Sequence, residues 1–128
     1  MNIVLIDPLM QYRAHCVSET LGLMYIAAVL REAGHGVQLI STGLRNGEAL
    51  LPNDIVDADL VGVTATSALF GNAKQVLDTI RTWRPDLPII IGGAHATVST
   101  ESALRAGFDF ALIGEAEKTI VEFVANLE

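Results

Sequence analysis

Five short apolar runs, at residues 3–6, 37–40, 60–63, 88–91 and 110–113, recur along this chain with a helical pattern in the intervals. Strands that are apolar at every position are buried on both faces, whereas a sheet with one wet face reads as an alternation. Parallel neighbours need long crossover connections, and the intervals are long enough to supply them as helices. The pattern therefore predicts βαβαβαβαβα, a parallel sheet with right-handed crossovers and helices on both sides. With 128 residues there is room for one domain, spanning 1–128. Hydrophobic residues make up 51% of the chain but aromatics only 5%, so the core is filled by Val, Ile, Leu and Ala, as parallel sheets usually are.

The helical intervals differ in quality. Ala73, Val76, Leu77, Ile80 and Trp83 share one face, with Lys74, Asp78 and Arg81 outside it. Ile120, Val121, Val124 and Leu127 follow the same rule in the last helix, and Gly34 and Gly107 stand where glycines end helices. Pro52 and Asn53 interrupt 50–58, which predicts a short or irregular helix there. Residues 21–30 carry no charge on any face, so this helix is expected to be covered on more than one side. Its cover is either its own sheet and neighbouring helices, or a ligand or further domain.

Charge and cysteine content exclude several functions. A net charge of −7, with eight basic residues that form no run, argues against nucleic acid and anionic lipid as partners. The stretch at 21–30 is about half the length of a membrane span. The chain enters its first apolar run at once, without a basic leader, so a cytoplasmic protein is expected. Cys16 is the single cysteine, which leaves no internal disulfide and no cysteine cluster. The turn after the first run, Asp7-Pro8-Leu9-Met10, has no glycines, so neither a dinucleotide fingerprint nor a phosphate loop is present. A phospho-acceptor site is excluded too, because Asp7 stands without neighbouring acids and Gly114-Glu115, not lysine, follows the fifth run.

What remains is concentrated where three runs end: Thr64, Thr66 and Ser67 after the third, Gly92-Gly93-Ala94-His95 after the fourth, and Gly114-Glu115 after the fifth. Ligands of open α/β sheets bind outside the carboxyl ends of the strands. Two readings compete. Small and hydroxylated residues there can line a ligand slot, or the glycines can merely end strands while Ser67 or Asn72 caps the following helix.

Four segments in order carry a family resemblance: Leu21-Gly22-Leu23-Met24-Tyr25-Ile26-Ala27-Ala28-Val29-Leu30 with Gly34-His35-Gly36-Val37, then residues 59–64, then residues 91–97, then Gly114-Glu115-Ala116-Glu117-Lys118-Thr119. Together they resemble the amino-terminal cobalamin-binding domain of cobalamin-dependent radical SAM enzymes, the group of the anaerobic magnesium-protoporphyrin ester cyclase. The resemblance implies a flavodoxin-like (Rossmann-like) doubly wound sheet of strand order 2-1-3-4-5. It also implies a domain that holds cobalamin or methylcobalamin for a methyltransferase or cyclase. The radical SAM barrel partner, with its 4Fe-4S cluster and S-adenosylmethionine, would lie outside this chain.

Residue by residue, the resemblance assigns cofactor contact to Leu9, Leu21, Gly22, Thr64, Thr66, Ser67, Gly92, Gly93, Ala94, His95, Gly114 and Glu115. Gly92 and Gly93 would let the nucleotide tail pass close to the backbone, the hydroxyls would meet its polar atoms, and His95 would line the corrin rim. The cobalt-ligating Asp-x-His-x-x-Gly motif of other cobalamin domains is missing, since its two possible registers place Leu9 or Glu19 at the histidine position. A base-off cofactor without a histidine ligand is the expectation, with His15 as the competing ligand. Ala116 departs from the family's usual Gly-Glu-Gly-Glu, and no catalytic residue is expected in this chain. Two further readings stay open, a ligand-free regulatory or interaction module and an unrecognised small-molecule enzyme of the same architecture.

Overall fold

The computed structural model describes residues 1–8, 17–41, 50–65, 70–114 and 116–128. Strands β1 (Asn2–Asp7), β2 (Gly36–Ser41), β3 (Leu60–Thr64), β4 (Ile89–Gly92) and β5 (Phe110–Ala111) form one sheet of order β2-β1-β3-β4-β5. Every pairing in it is parallel. This is the doubly wound, flavodoxin-like order expected from the sequence. Helices α1 (Val17–Glu32), α2 (Phe70–Trp83), α3 (Ala94–Val98), α4 (Thr100–Ala106) and α5 (Glu117–Leu127) supply the crossovers and the last layer, and a 3-10 turn at Pro52–Asp54 stands where the proline predicts an irregular helix.

Side chains alternate along each strand, so the sheet separates two cores. Val4, Ile6, Val61, Val63, Ile89 and Ile91 meet Ala73, Leu77 and Ile80 of α2, with Ala96, Ala103 and Phe108, on one face. Ile3, Leu5, Leu60 and Ile90 meet Leu23, Ala27 and Leu30 of α1 and Ile120 and Val124 of α5 on the other. Register aligns Leu5, Gly62 and Ile90 in one row across the second face, with Thr64 opposite Gly92 in the next row toward the carboxyl ends.

Polar anchors close the opposite, amino-terminal end of the sheet. Arg81 donates to the carbonyls of Leu87 and Gly107 and to the Asp109 carboxylate at 2.7 Å, while that carboxylate also accepts the Ile89 amide. Arg84 donates to the carbonyls of Ile55, Val56 and Ala58 ahead of β3. A guanidinium presents several donors in a fixed fork, so one side chain ties a helix end to two strand entries.

Three details qualify the sequence expectations. The charge-free helix is covered by the sheet and by α5 but not all round: Leu23, Ala27 and Leu30 are buried, while Met24 and Tyr25 are 53% and 58% exposed. The sheet and α5 take one flank each, and the lack of charge does not by itself recruit a third cover. The fifth strand is two residues rather than four, because the chain turns away through Gly114 at φ +74° to enter α5. The helix after β4 is broken into α3 and α4 at Ser99, whose φ of −137° and ψ of +58° are not helical. Gly34 and Gly107 do end helices with positive φ, at +97° and +117°.

Candidate functional site

The two cores are not equally full. On the α1/α5 face the row Leu5–Gly62–Ile90 has no side chain at its centre, and a β-carbon at Gly62 would lie 2.8 Å from Leu5 Cδ2 and 3.5 Å from Ile90 Cγ2. Leaving that methyl out lets the Leu5 and Ile90 side chains close over Gly62 and keeps the floor between the sheet and the helices low. A cavity of about 190 Å³ occupies the space, roofed by Gly22, Leu23 and Ile26 of α1 and by Ala116, Glu117 and Ile120 of α5, with Leu112 at its side. Thr64, Gly92, Gly93 and Gly114 lie at its carboxyl-edge mouth. Glu117 is the one ionisable side chain among the described residues of the lining. The cavity is thus built to enclose an apolar group rather than to run acid–base chemistry.

Glycine has a different role at each position. At Gly22 and Gly92 an added β-carbon would meet nothing within 4 Å, so the backbone does not require glycine and the missing side chains serve as free space. Gly93 adopts φ +96°, and a β-carbon there would sit 2.7 Å from Thr64 Oγ1 and 3.0 Å from the Ala65 carbonyl oxygen. Its glycine is required by the close approach of α3 to the end of β3, where the His95 amide donates to the Ala65 carbonyl at 3.0 Å. Gly93 is thus fixed by backbone geometry, whereas Gly92 leaves open space beside the cavity mouth.

Thr97 joins the two glycine loops. Its hydroxyl donates to the Gly93 carbonyl at 3.2 Å and accepts the Gly114 amide at 2.9 Å. This single side chain spans from the β4 loop to the β5 loop across the mouth. A hydroxyl both donates and accepts, which valine of the same shape cannot do.

Among the sequence-predicted residues, Gly22, Thr64, Gly92, Gly93 and Gly114 converge on the one cavity. Ala94 is exposed at the start of α3, and His95 is buried with its ring stacked on Phe70 at a centroid distance of 3.9 Å. Neither lines the cavity. Leu9, His15, Thr66, Ser67 and Glu115 lie outside the described residues, as does the side chain of Leu21. Asn72 does not cap its helix: its amide donates to the Pro8 carbonyl, 3.2 Å away, and so ties α2 to the exit of β1. Sequence reading missed Gly62 and the aliphatic lining of Leu5, Leu23, Ile26, Ile90, Leu112 and Ile120. Gly62 carried a signal, since a glycine inside an apolar strand run marks a close approach or a gap. The aliphatic residues carried none, being indistinguishable from core.

Among the described residues no helix is long and apolar enough to cross a membrane, and no group of three His, Cys, Asp or Glu side chains is placed to hold a metal ion.

Comparison with known proteins places these features in a family. A protein named as an uncharacterized methyltransferase of Pyrococcus horikoshii is 34% identical over 115 residues, covering 84% of this chain but only 24% of that protein. This chain therefore spans about a quarter of its relative's length. A cobalamin-binding protein from Desulfitobacterium hafniense superposes with a TM-score of 0.59 at 18% identity, over 99% of this chain and 58% of that one. A response regulator receiver domain from Clostridium thermocellum superposes with a TM-score of 0.61 at 20% identity, over 97% and 92%. At such identities both likenesses show the shared fold alone. The sequence is more specific, for the family model of the B12 binding domain matches residues 13–124, and the chain belongs to the B12-binding domain family.

Proposed function

We propose that this chain holds cobalamin with its nucleotide tail base-off in the α1/α5 cavity, without a histidine ligand to cobalt, in the service of a radical SAM methyltransferase or cyclase. The observation that carries the reading is the cavity itself, an apolar slot that opens at the carboxyl edge through glycines and is floored by Gly62. A cobalamin tail ends in a flat base, and a slot between sheet and helices is the shape that receives one. Gly92 and Gly22 leave room for the tail to enter, and Thr64 offers a hydroxyl at the mouth. Thr97 keeps the mouth at a fixed width by holding the Gly93 and Gly114 loops together. Bound cobalamin supplies a methyl carrier, and the groups acting on substrate belong to another domain. Support for that partner comes from the fourfold longer relative named as a methyltransferase and from the exposed Met24 and Tyr25 on α1.

Titration of the purified chain with hydroxocobalamin tests the reading. The expected outcome is saturable binding with a base-off visible spectrum that His15→Ala leaves unchanged. A histidine-ligated spectrum lost in His15→Ala would overturn the ligand assignment. Absence of any binding would favour a ligand-free module of the same fold.

A further inference from the structure

From the size and lining of the cavity we infer that this domain selects among cobalamin-type corrinoids by the base at the end of the tail, taking benzimidazoles and rejecting purines. The inference rests on the proposed cobalamin reading and goes beyond it. An apolar cavity of about 150 Å³ holds one benzene. The cavity here, about 190 Å³ and open at one end, suits one small bicyclic aromatic.

Its chemistry narrows the choice further. The inner wall consists of Leu5, Leu23, Ile26, Ile90 and Ile120 above the bare floor at Gly62. Floor backbone groups are committed to the β1–β3 and β3–β4 ladders. The two polar side chains of the described lining, Thr64 and Glu117, stand at the last residue of β3 and the first of α5, away from the row that forms the floor. A dimethylbenzimidazole enters with a six-membered ring of carbon carrying two methyl groups, which this wall accepts. An adenine enters with a six-membered ring holding two nitrogens and an exocyclic amine. Those groups would lose water and find no partner at the inner end, which is the costly way to bury polarity.

Gly62 sets the depth of the site. A methyl at this position would lie 2.8 Å from Leu5 Cδ2 and force that lining side chain to shift, which changes the shape of the floor beneath the ring. The obstacle is the far end of a flexible side chain, so the sheet itself tolerates the change.

The test compares equilibrium binding of three corrinoids to the unaltered chain: cobalamin, its analogue with adenine as lower base, and cobinamide, which has no nucleotide tail. Each dissociation constant is corrected for that corrinoid's own base-off fraction, read from its acid titration without protein, because only the detached base can enter. Cobalamin is expected to bind at least about tenfold more tightly than either of the others, the ratio that one or two unpaired buried polar groups produce. Adenine and benzimidazole forms closer than that, or an adenine form that binds more tightly, would overturn the selectivity while leaving cobalamin binding intact. Cobinamide binding as tightly as cobalamin would overturn it by removing the tail from the cavity. No binding by any of the three would overturn this inference and the function together. Gly62→Ala, with its fold checked by circular dichroism, is expected to lose the preference for cobalamin over cobinamide, and retention of the full preference would count against Gly62 as the floor.

Discussion

The two faces of the sheet are built from the same strands, yet one is solid and the other is hollow. Toward α2 and α4 the strands present Val61, Val63, Ile89 and Ile91, all essentially inaccessible, and the helix replies with Ala73, Leu77 and Ile80. Toward α1 and α5 the intervening positions of β3 and β4 are Leu60, Gly62, Thr64, Ile90 and Gly92, which become smaller toward the carboxyl ends. Parity therefore divides labour. Odd-numbered residues of these two strands fill the α2 core, with Val63 also reaching the cavity lining. Of the even-numbered ones, Gly62, Thr64, Ile90 and Gly92 line the cavity while Leu60 stays in the core. The solid face can be optimised for packing without touching the ligand, and the hollow face can lose side chains because the other face holds the sheet.

The contrast is broken most severely on the solid side. Ile91→Ala is expected to lower stability by about 2–5 kcal/mol in chemical denaturation, because it opens a void in a close-packed layer. Cobalamin affinity of the molecules that remain folded should change little. An equal loss of affinity would mean that the faces are mechanically coupled.

The glycine pair at the end of β4 sharpens the comparison. Gly93→Val forces a β-branched residue into φ +96° against Thr64 and Ala65, and is expected to destabilise the domain by about 1–3 kcal/mol. Gly92→Val enters open space at a strand position that suits valine, so its melting temperature should stay near that of the parent while cobalamin binding is lost. Thermal denaturation of the two variants beside a visible titration separates backbone necessity from ligand space. Similar melting temperatures for both would refute the division.

Thr97→Val tests the clamp across the mouth. Losing two exposed hydrogen bonds is expected to reduce stability by about 1 kcal/mol or less and to weaken cobalamin binding, with Thr97→Ser restoring both hydrogen bonds and affinity. Failure of serine to rescue would show that the methyl, not the hydroxyl, matters.

The smallest effect has the opposite sign. Gly22→Ala replaces a glycine in the interior of α1 and is expected to stabilise the domain by about 0.5–1 kcal/mol. It also places a methyl in the roof of the cavity, so affinity should fall as stability rises. A variant that gains both would mean that the roof does not meet the ligand.

How much of this was legible before the fold was known depends on the residue. The five runs, their parallel order and the terminating glycines Gly34 and Gly107 follow from local rules of period and φ angle. Strand 88–91 was plain because proline, three isoleucines and two glycines leave little else possible. Gly22, Thr64, Gly92, Gly93 and Gly114 were legible as a set because topology brings carboxyl ends together, whichever helices connect them. His95 shows the limit: a polar residue in a loop reads as a rim contact, yet its ring is buried against Phe70, 25 residues away along the chain.

By itself the sequence determined the class of fold, the order of its elements and the edge at which small and glycine residues gather, because hydrophobic period and glycine stereochemistry act over a few residues and need no distant partner. Which face of the sheet is hollow was decided only by the tertiary structure. The cavity is a missing volume, and a volume is bounded by residues as far apart in the chain as Leu5, Gly62 and Ile120. No local pattern distinguishes an isoleucine that fills a core from one that lines a cavity; only the register that puts Gly62 between Leu5 and Ile90, under two helices, makes that distinction.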